Sequence, residues 1–106
     1  MDFDDVRDKI ALRLRETGWK KVEFAMKFPS CSGTIDVVAQ TSGFRKKTCM
    51  IAIAENPFDG GIASLLLDGV EEKGKKIIFL QEGSPAEVQA SAEIFVTNDL
   101  KDLPIP

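Results

Sequence analysis

The segment KTCMIAIAE, residues 47–55, constrains the fold most, because it predicts a strand that is apolar on both of its faces. A strand of this kind lies in the middle of a sheet and needs helices packed against each side. The chain has 106 residues and shows no repeat, low-complexity tract or linker. These features predict a single α/β domain that spans residues 1–106.

The first half of the chain predicts one helix and three strands. Residues 3–16 carry apolar side chains at helical spacing, with Asp2 as the candidate N-cap and Gly18 as the stop. Three strands follow: WKKVEFAMKF at 19–28, TIDVVAQ at 34–40 and KTCMIAIAE at 47–55. Short turns join these strands, so we expect an antiparallel meander.

The second half alternates helices with strands. Apolar residues after Pro57 (Ile62, Leu65, Leu66, Gly69 and Val70) predict a helix through about Glu72, with Gly74 as its stop. Next come the strand KKIIFLQ at 75–81, the short helix SPAEVQA at 84–90 with Ser84 as N-cap and Pro85 in its first turn, the strand AEIFVTN at 92–98, and a final turn or short helix.

The predicted order is therefore α-β-β-β-α-β-α-β. Strands that are joined through helices lie parallel to one another. The sequence thus predicts a mixed sheet of about five strands with helices on both faces.

Composition excludes several kinds of active site. The chain has no His and no Tyr, which removes Ser-His-Asp and Cys-His triads and His-ligated metals. Cys31 and Cys49 are too few for a disulfide framework or a four-cysteine zinc site, so we expect reduced thiols in a cytoplasmic protein. The acidic N-terminus does not resemble a signal peptide, and no apolar run is long enough for a membrane span.

Charge is unevenly distributed along the chain. The net charge is −3, but residues 9–27 contain six basic and two acidic residues, whereas residues 54–72 contain five acidic residues and no basic one. One face can therefore be basic in an acidic molecule. The candidate phosphate contacts are Lys20, Lys21, Arg45, Lys46 and Lys47. Solubility and protection of sheet edges are the alternative roles for the same residues.

Four segments, taken in order, resemble the restriction-endonuclease-like, or PD-(D/E)xK, nuclease superfamily, and in particular the archaeal Holliday-junction resolvases. These segments are RDKIALRLRETGWKKVEF, GTIDVVA, LLLDGVEEKGKKIIFLQ and AEIFVTNDLKDL. The resemblance implies the restriction-endonuclease-like fold and a metal-binding Asp at Asp36. In such sites carboxylates share Mg²⁺ with the scissile phosphate, and a lysine stabilises the developing charge.

The chain departs from the family pattern at the catalytic motif. Aligned by its apolar residues, the third strand has Ala54 where the family has an acid and Asn56 where it has a lysine. Glu55 lies between them and is expected on the opposite face. Arg7, with Asp8 beside it, stands near the position of the family's first-helix glutamate.

These departures lead us to expect a nucleic-acid-associated domain of nuclease fold without catalytic activity, which binds DNA weakly or acts as a subunit of a repair or processing assembly. One alternative is an active endonuclease that uses Mg²⁺, Asp36, Glu55 and a relocated lysine from among Lys46, Lys47, Lys75 and Lys76. A second alternative is a protein-interaction module that binds no nucleic acid. No cofactor is expected unless the site is active, and the resemblance implies a homodimer.

Overall fold

The computed structural model describes residues 2–106, in which a five-stranded mixed sheet lies between two α-helices. The elements are α1 (Phe3–Glu16), β1 (Lys21–Lys27), β2 (Thr34–Gln40), β3 (Thr48–Ala54), α2 (Pro57–Asp68), β4 (Lys75–Leu80) and β5 (Ile94–Thr97). Two short 3₁₀ helices, Pro85–Glu87 and Leu100–Asp102, flank the last strand.

The strands lie side by side in chain order, β1-β2-β3-β4-β5. The first three form an antiparallel meander, and β4 and β5 lie parallel to β3. This confirms the predicted mixed sheet. It also follows that the start of β2 and the end of β3 meet at one end of the sheet, while the β2–β3 loop lies at the other end.

The core has two parts, one on each face of β3. Met50, Ala52 and Ala54 pack with α2, whereas Cys49 and Ile51 pack with α1. Every residue of β3 except Ile53 is buried, as expected for a strand that is apolar on both faces. The central position predicted for this strand is thus confirmed.

Helix α2 differs from the prediction in its end and in its buried face. It ends at Asp68 with Gly69 as the C-cap, rather than at Glu72 before Gly74. Ile62 and Leu65, which suggested the helix, point to solvent, and the buried residues are Gly60, Ala63, Ser64 and Leu67. The small residues allow the helix to lie close to neighbouring segments, because a Cβ at Gly60 would come within 2.8 Å of Val88.

Gly74 has a different role from the predicted helix stop. A Cβ at this position would lie 2.6 Å from the carbonyl oxygen of Thr48, closer than such contacts occur. The glycine therefore permits the chain to enter β4 directly beside the start of β3.

The predicted helix at 84–90 is only one 3₁₀ turn. Ser84 is its N-cap and Pro85 its first residue, and Ser84 and Glu87 form a reciprocal capping box. The turn ends because Val88 returns to extended backbone, with φ −83° and ψ 125°. The link from β4 to β5 thus contains no α-helix.

Candidate functional site

A cleft of about 580 Å³ opens where β2 begins, β3 ends and α2 starts. We call it the acidic cleft, because four carboxylates line it: Asp2, Asp36, Glu55 and Asp59. Its other lining residues are Phe3, Thr34, Ala52, Ile53, Ile62, Ala63, Leu66 and Gln81. The structure thus brings both predicted catalytic acids, Asp36 and Glu55, to one cavity.

Asp36 occupies a gap in the hydrogen-bond ladder between β2 and β3. The paired register of these strands ends at Val37 and Ile51, and the Asp36 carboxylate then accepts the backbone N–H of Ile53 at 2.7 Å. The side chain therefore replaces a main-chain partner at the point where the two strands separate. Asp36 thus has a structural role at the point where β2 and β3 diverge.

Strand β1, which pairs with β2 on the side away from β3, is also irregular near Asp36. The register between β1 and β2 places Ala25 opposite Asp36, and Ala25 has φ +51°. A left-handed backbone is unfavourable for a residue with a Cβ, and no other residue with a side chain has a positive φ within residues 2–106. Strained backbone of this kind is often found at functional sites.

Burial raises the pKa of Asp36 above its ordinary value, and the hydrogen bond from the Ile53 N–H opposes that rise. The rise comes from loss of water around the charged form, which disfavours the carboxylate. Within residues 2–106, no cation lowers the pKa of this carboxyl. The described lining of the cleft likewise has no lysine beside Asp36 of the kind that the sequence resemblance implies.

Glu55 lies just beyond the last residue of β3 and is exposed. The sequence predicted that its side chain faces away from the site, from the alternation of side chains along a strand. The alternation holds, since Ala54 is buried beside α2 and the Glu82 N–H still donates to the Glu55 carbonyl at 2.9 Å, but the cleft does not lie on the Ala54 side. Glu55 lines the acidic cleft instead.

The two positions aligned with the family acid and lysine serve the fold. Ala54 is buried in the core beside α2 and does not line the cleft. Asn56 is the N-cap of α2, and its side-chain oxygen accepts the N–H of Asp59 at 2.9 Å. Neither residue contributes a charged group to the cleft.

The acidic cleft is poorly suited to Mg²⁺. Across residues 2–106, no group of three or more acidic, His or Cys side chains is arranged to hold a metal ion. The lining residues of the cleft in the described chain include no Lys and no Arg. Asp36 and Glu55 could still contribute oxygens to an ion that a substrate phosphate also binds, but the protein alone does not build the site.

The four lysines considered as replacements lie far from the cleft. Lys46 and Lys47 precede β3, and Lys75 and Lys76 begin β4, which runs parallel to β3. All four are at the start of these strands, whereas Glu55 follows the end of β3. A strand of this length spans roughly 20 Å, so none of these lysines reaches Glu55.

The five predicted phosphate contacts lie together at the opposite end of the sheet from the cleft. We call them the basic end: Lys20, Lys21, Arg45, Lys46 and Lys47, all exposed. Lys20 and Lys21 meet the end of β2, because Lys21 pairs with Gln40 and the Lys20 N–H bonds the Gln40 carbonyl. Gln40 in turn pairs with Thr48, directly after Lys47.

Two charged residues singled out by sequence, Lys21 of the basic end and Arg7 of α1, have charged partners. Lys21 forms an ion pair with Glu23 at 3.1 Å, which lowers its availability to a phosphate. Arg7 pairs with Asp4 and Asp8 and lies 4.4 Å from the ring centre of Phe24. Neither Arg7 nor Asp8 lines the acidic cleft, whereas Asp2, at the N-terminus of the same helix, does.

Both cysteines are free and buried, on opposite faces of the sheet. Burial raises the pKa of the Cys49 thiol to about 12, with Lys75 acting in the opposite direction. Cys49 is therefore a core residue and not a nucleophile.

Sequence reasoning missed two exposed apolar features. Phe44 is fully exposed in the β2–β3 loop, beside the basic end. Phe58, Ile62 and Leu65 are exposed on one side of α2, and we call them the α2 stripe. For Phe44, the signal in the sequence was an aromatic residue inside a segment that is predicted to be a hairpin loop. Ile62 and Leu65 predict a helix by their spacing, but spacing does not show which side of the helix is buried when small residues pack inward.

Comparison of the chain with protein-family models, with curated proteins and with solved structures gives no match. Neither α-helix within residues 2–106 has the length and hydropathy needed to cross a bilayer.

Proposed function

We propose that this chain is a nucleic-acid-associated domain of restriction-endonuclease-like fold, which binds DNA weakly through its basic end and does not cleave it. In a cell such a domain would act as a subunit of a DNA repair or processing assembly. The observation that carries the proposal is the separation of charge: five basic residues at one end of the sheet and a lysine-free acidic cleft at the other.

The fold assignment is supported by the order of elements and the strand directions. An antiparallel meander followed by parallel strands agrees with the resemblance drawn from sequence. Asp36 near the start of β2 and Glu55 after β3 share one cleft, as the two acids of such a nuclease would.

The absence of catalysis is supported by the chemistry of the cleft. Its carboxylates repel the phosphates of DNA unless a metal ion is bound. No cation from the described chain lines the cleft to stabilise a developing charge. Loss of one preorganised group of this kind typically costs about 10²–10³ in rate.

Binding is tested by titrating labelled duplex and branched DNA at increasing salt. Nonspecific contacts predict a Kd of about 10⁻⁴–10⁻⁶ M at physiological salt. Lys46→Ala with Lys47→Ala should lower the slope of log K against log salt by up to about two, one for each lost contact.

A matched control removes the same charge from the other end of the sheet. Lys9 and Lys101 are exposed and line a cavity beside the ends of β4 and β5. Lys9→Ala with Lys101→Ala should leave the slope within error. An equal decrease of the salt slope in both double variants would indicate an effect of net charge. If the wild-type protein bound no DNA, the proposal would be contradicted.

Catalysis is tested with the same DNA substrates in Mg²⁺ or Mn²⁺. We expect no cleavage above background. Robust cleavage that is abolished by Asp36→Ala and by Glu55→Ala would establish the alternative, an active endonuclease with a rearranged site.

The α2 stripe favours a second candidate function, a protein-interaction module that forms a homodimer. Phe58, Ile62 and Leu65 lie at positions i, i+4 and i+7 and so form one side of the helix. Gly61 lies beside them and permits close approach of a second copy of α2. A two-fold axis through this face would place the stripe against itself.

Sedimentation equilibrium tests the dimer. Leu65→Ser should weaken self-association about tenfold, as expected for a central interface residue. Leu12→Ser is the matched control, because Leu12 is a similarly exposed leucine on α1. A wild-type monomer at high micromolar concentration would exclude the homodimer.

A further inference from the structure

The loop between β2 and β3 is closed at its base by two hydrogen bonds. The Thr41 N–H donates to the Lys47 carbonyl at 3.0 Å, and the Lys47 N–H donates to the Thr41 hydroxyl oxygen at 2.9 Å. Residues 42–46 are all exposed and project from this closed base. The loop is thus a defined protrusion at the basic end.

Phe44 stands in this protrusion and is fully exposed. Gly43 before it has φ +103°, and a Cβ there would meet nothing within 4 Å. Arg45, Lys46 and Lys47 follow directly. A bare aromatic ring beside three cations has no role in the packing of this domain.

This combination matches one class of ligand: an unpaired nucleic-acid strand, whose bases expose flat apolar faces and whose phosphates are negative. In a duplex the bases are stacked on one another, so an aromatic side chain has no access to their flat faces. A single Phe is too small an apolar surface for stable attachment to a membrane, which requires a larger apolar face.

We propose that Phe44 stacks on an unpaired base while Arg45, Lys46 and Lys47 contact the neighbouring phosphates. This inference rests on the proposed nucleic-acid binding and names its preferred form, single-stranded or locally unpaired DNA or RNA. Base stacking on an aromatic side chain predicts that Phe44→Ala weakens single-strand binding about 5- to 100-fold.

The test uses three variants of the full chain, in each of which only an exposed side chain changes. Phe44→Trp keeps a flat ring and adds a fluorescent reporter, and the only other tryptophan, Trp19, is buried. Phe44→Leu keeps an apolar side chain without the ring, and Phe44→Ala removes both. Each variant is titrated with oligothymidylate, oligouridylate, a duplex of equal length and phosphatidylserine vesicles at low salt.

The proposal predicts tighter binding of the single strands than of the duplex by wild type and Phe44→Trp, with quenching of the new tryptophan by the bases. Phe44→Leu and Phe44→Ala should both lose this preference. If all variants bind nucleic acid equally, the stacking role is wrong while the proposed function stands. If only vesicles change the tryptophan emission, the stacking role is likewise wrong. If wild type binds no nucleic acid, both the stacking role and the proposed function are overturned.

Discussion

At the scale of single residues, two opposing effects act on the pKa of Asp36: burial raises it and one hydrogen bond lowers it, and burial has the larger effect. Burial raises its pKa above the value in the unfolded chain. The folded protein therefore binds a proton at Asp36 more tightly than the unfolded chain does. This binding stabilises the fold at low pH, and the stabilisation is lost as the pH rises through the raised pKa.

Asp36→Asn tests this balance, because the amide oxygen can still accept the Ile53 N–H without bearing a charge. We expect the variant to gain stability relative to wild type as the pH rises from about 4 to 7, the range above the ordinary Asp pKa. Urea unfolding in the presence of EDTA measures the difference at each pH. Asp36→Ala should be about 1 kcal/mol less stable than Asp36→Asn, because it leaves the N–H without its partner. A pH-independent difference would contradict this account.

Ala25 provides a second residue-scale prediction. Its left-handed backbone costs about 1–2 kcal/mol for a residue with a Cβ, and glycine removes that cost. After allowance for the greater freedom of glycine in the unfolded chain, Ala25→Gly should raise the free energy of unfolding by up to about 1 kcal/mol. Ala25→Val should lower it. Chemical denaturation of the three proteins decides, and a destabilised glycine variant would show that the backbone at this position is not strained.

At the scale of secondary structure, α2 depends on residues that a nuclease would use differently. Asn56 aligns with the lysine of the nuclease motif that the sequence resembles, and in this chain it caps the helix. Asn56→Ala should cost about 1 kcal/mol, whereas Asn56→Asp should retain the cap. Thermal or urea unfolding compares them, and equal stability of all three would mean that the cap contributes nothing.

The sequence predicted which segments form helices and strands better than it predicted which side of each element is buried. Periodicity and turn residues identified every strand, and the short turns gave the antiparallel meander. The parallel direction of β4 and β5 was also predicted, although a 3₁₀ turn and not the expected α-helix joins them. The sequence did not predict which side of α2 is buried. Gly60, Ala63 and Ser64 on that side carry too little apolar surface to indicate burial.

The candidate site was predictable only in its parts. Asp36 was identified as an acid inside an apolar strand, but its hydrogen bond to Ile53 depends on where the β2–β3 ladder ends. Glu55 lines the cleft because the cleft lies on its side of the strand end and not on the side of Ala54. The left-handed backbone of Ala25 has no sequence signal, because alanine rarely adopts it.

At the scale of the whole molecule, the sheet separates two surfaces of opposite charge. The acidic cleft lies at one end of β2 and β3, and the basic end lies at the other, roughly 20 Å away along the strands. A nucleic acid that is held by the basic end is therefore not placed with a phosphate between Asp36 and Glu55. This separation links the weak DNA binding that we propose to the expected lack of cleavage.

Backbone amide NMR of the isotopically labelled protein, titrated with single-stranded and duplex DNA, tests this central claim most directly. We predict chemical-shift changes at residues 20–21 and 43–47, stronger for the single strand, with the cleft residues Asp36, Ile53 and Glu55 unchanged with or without Mg²⁺. Changes centred on the acidic cleft that require Mg²⁺ would contradict the account and indicate a working nuclease site.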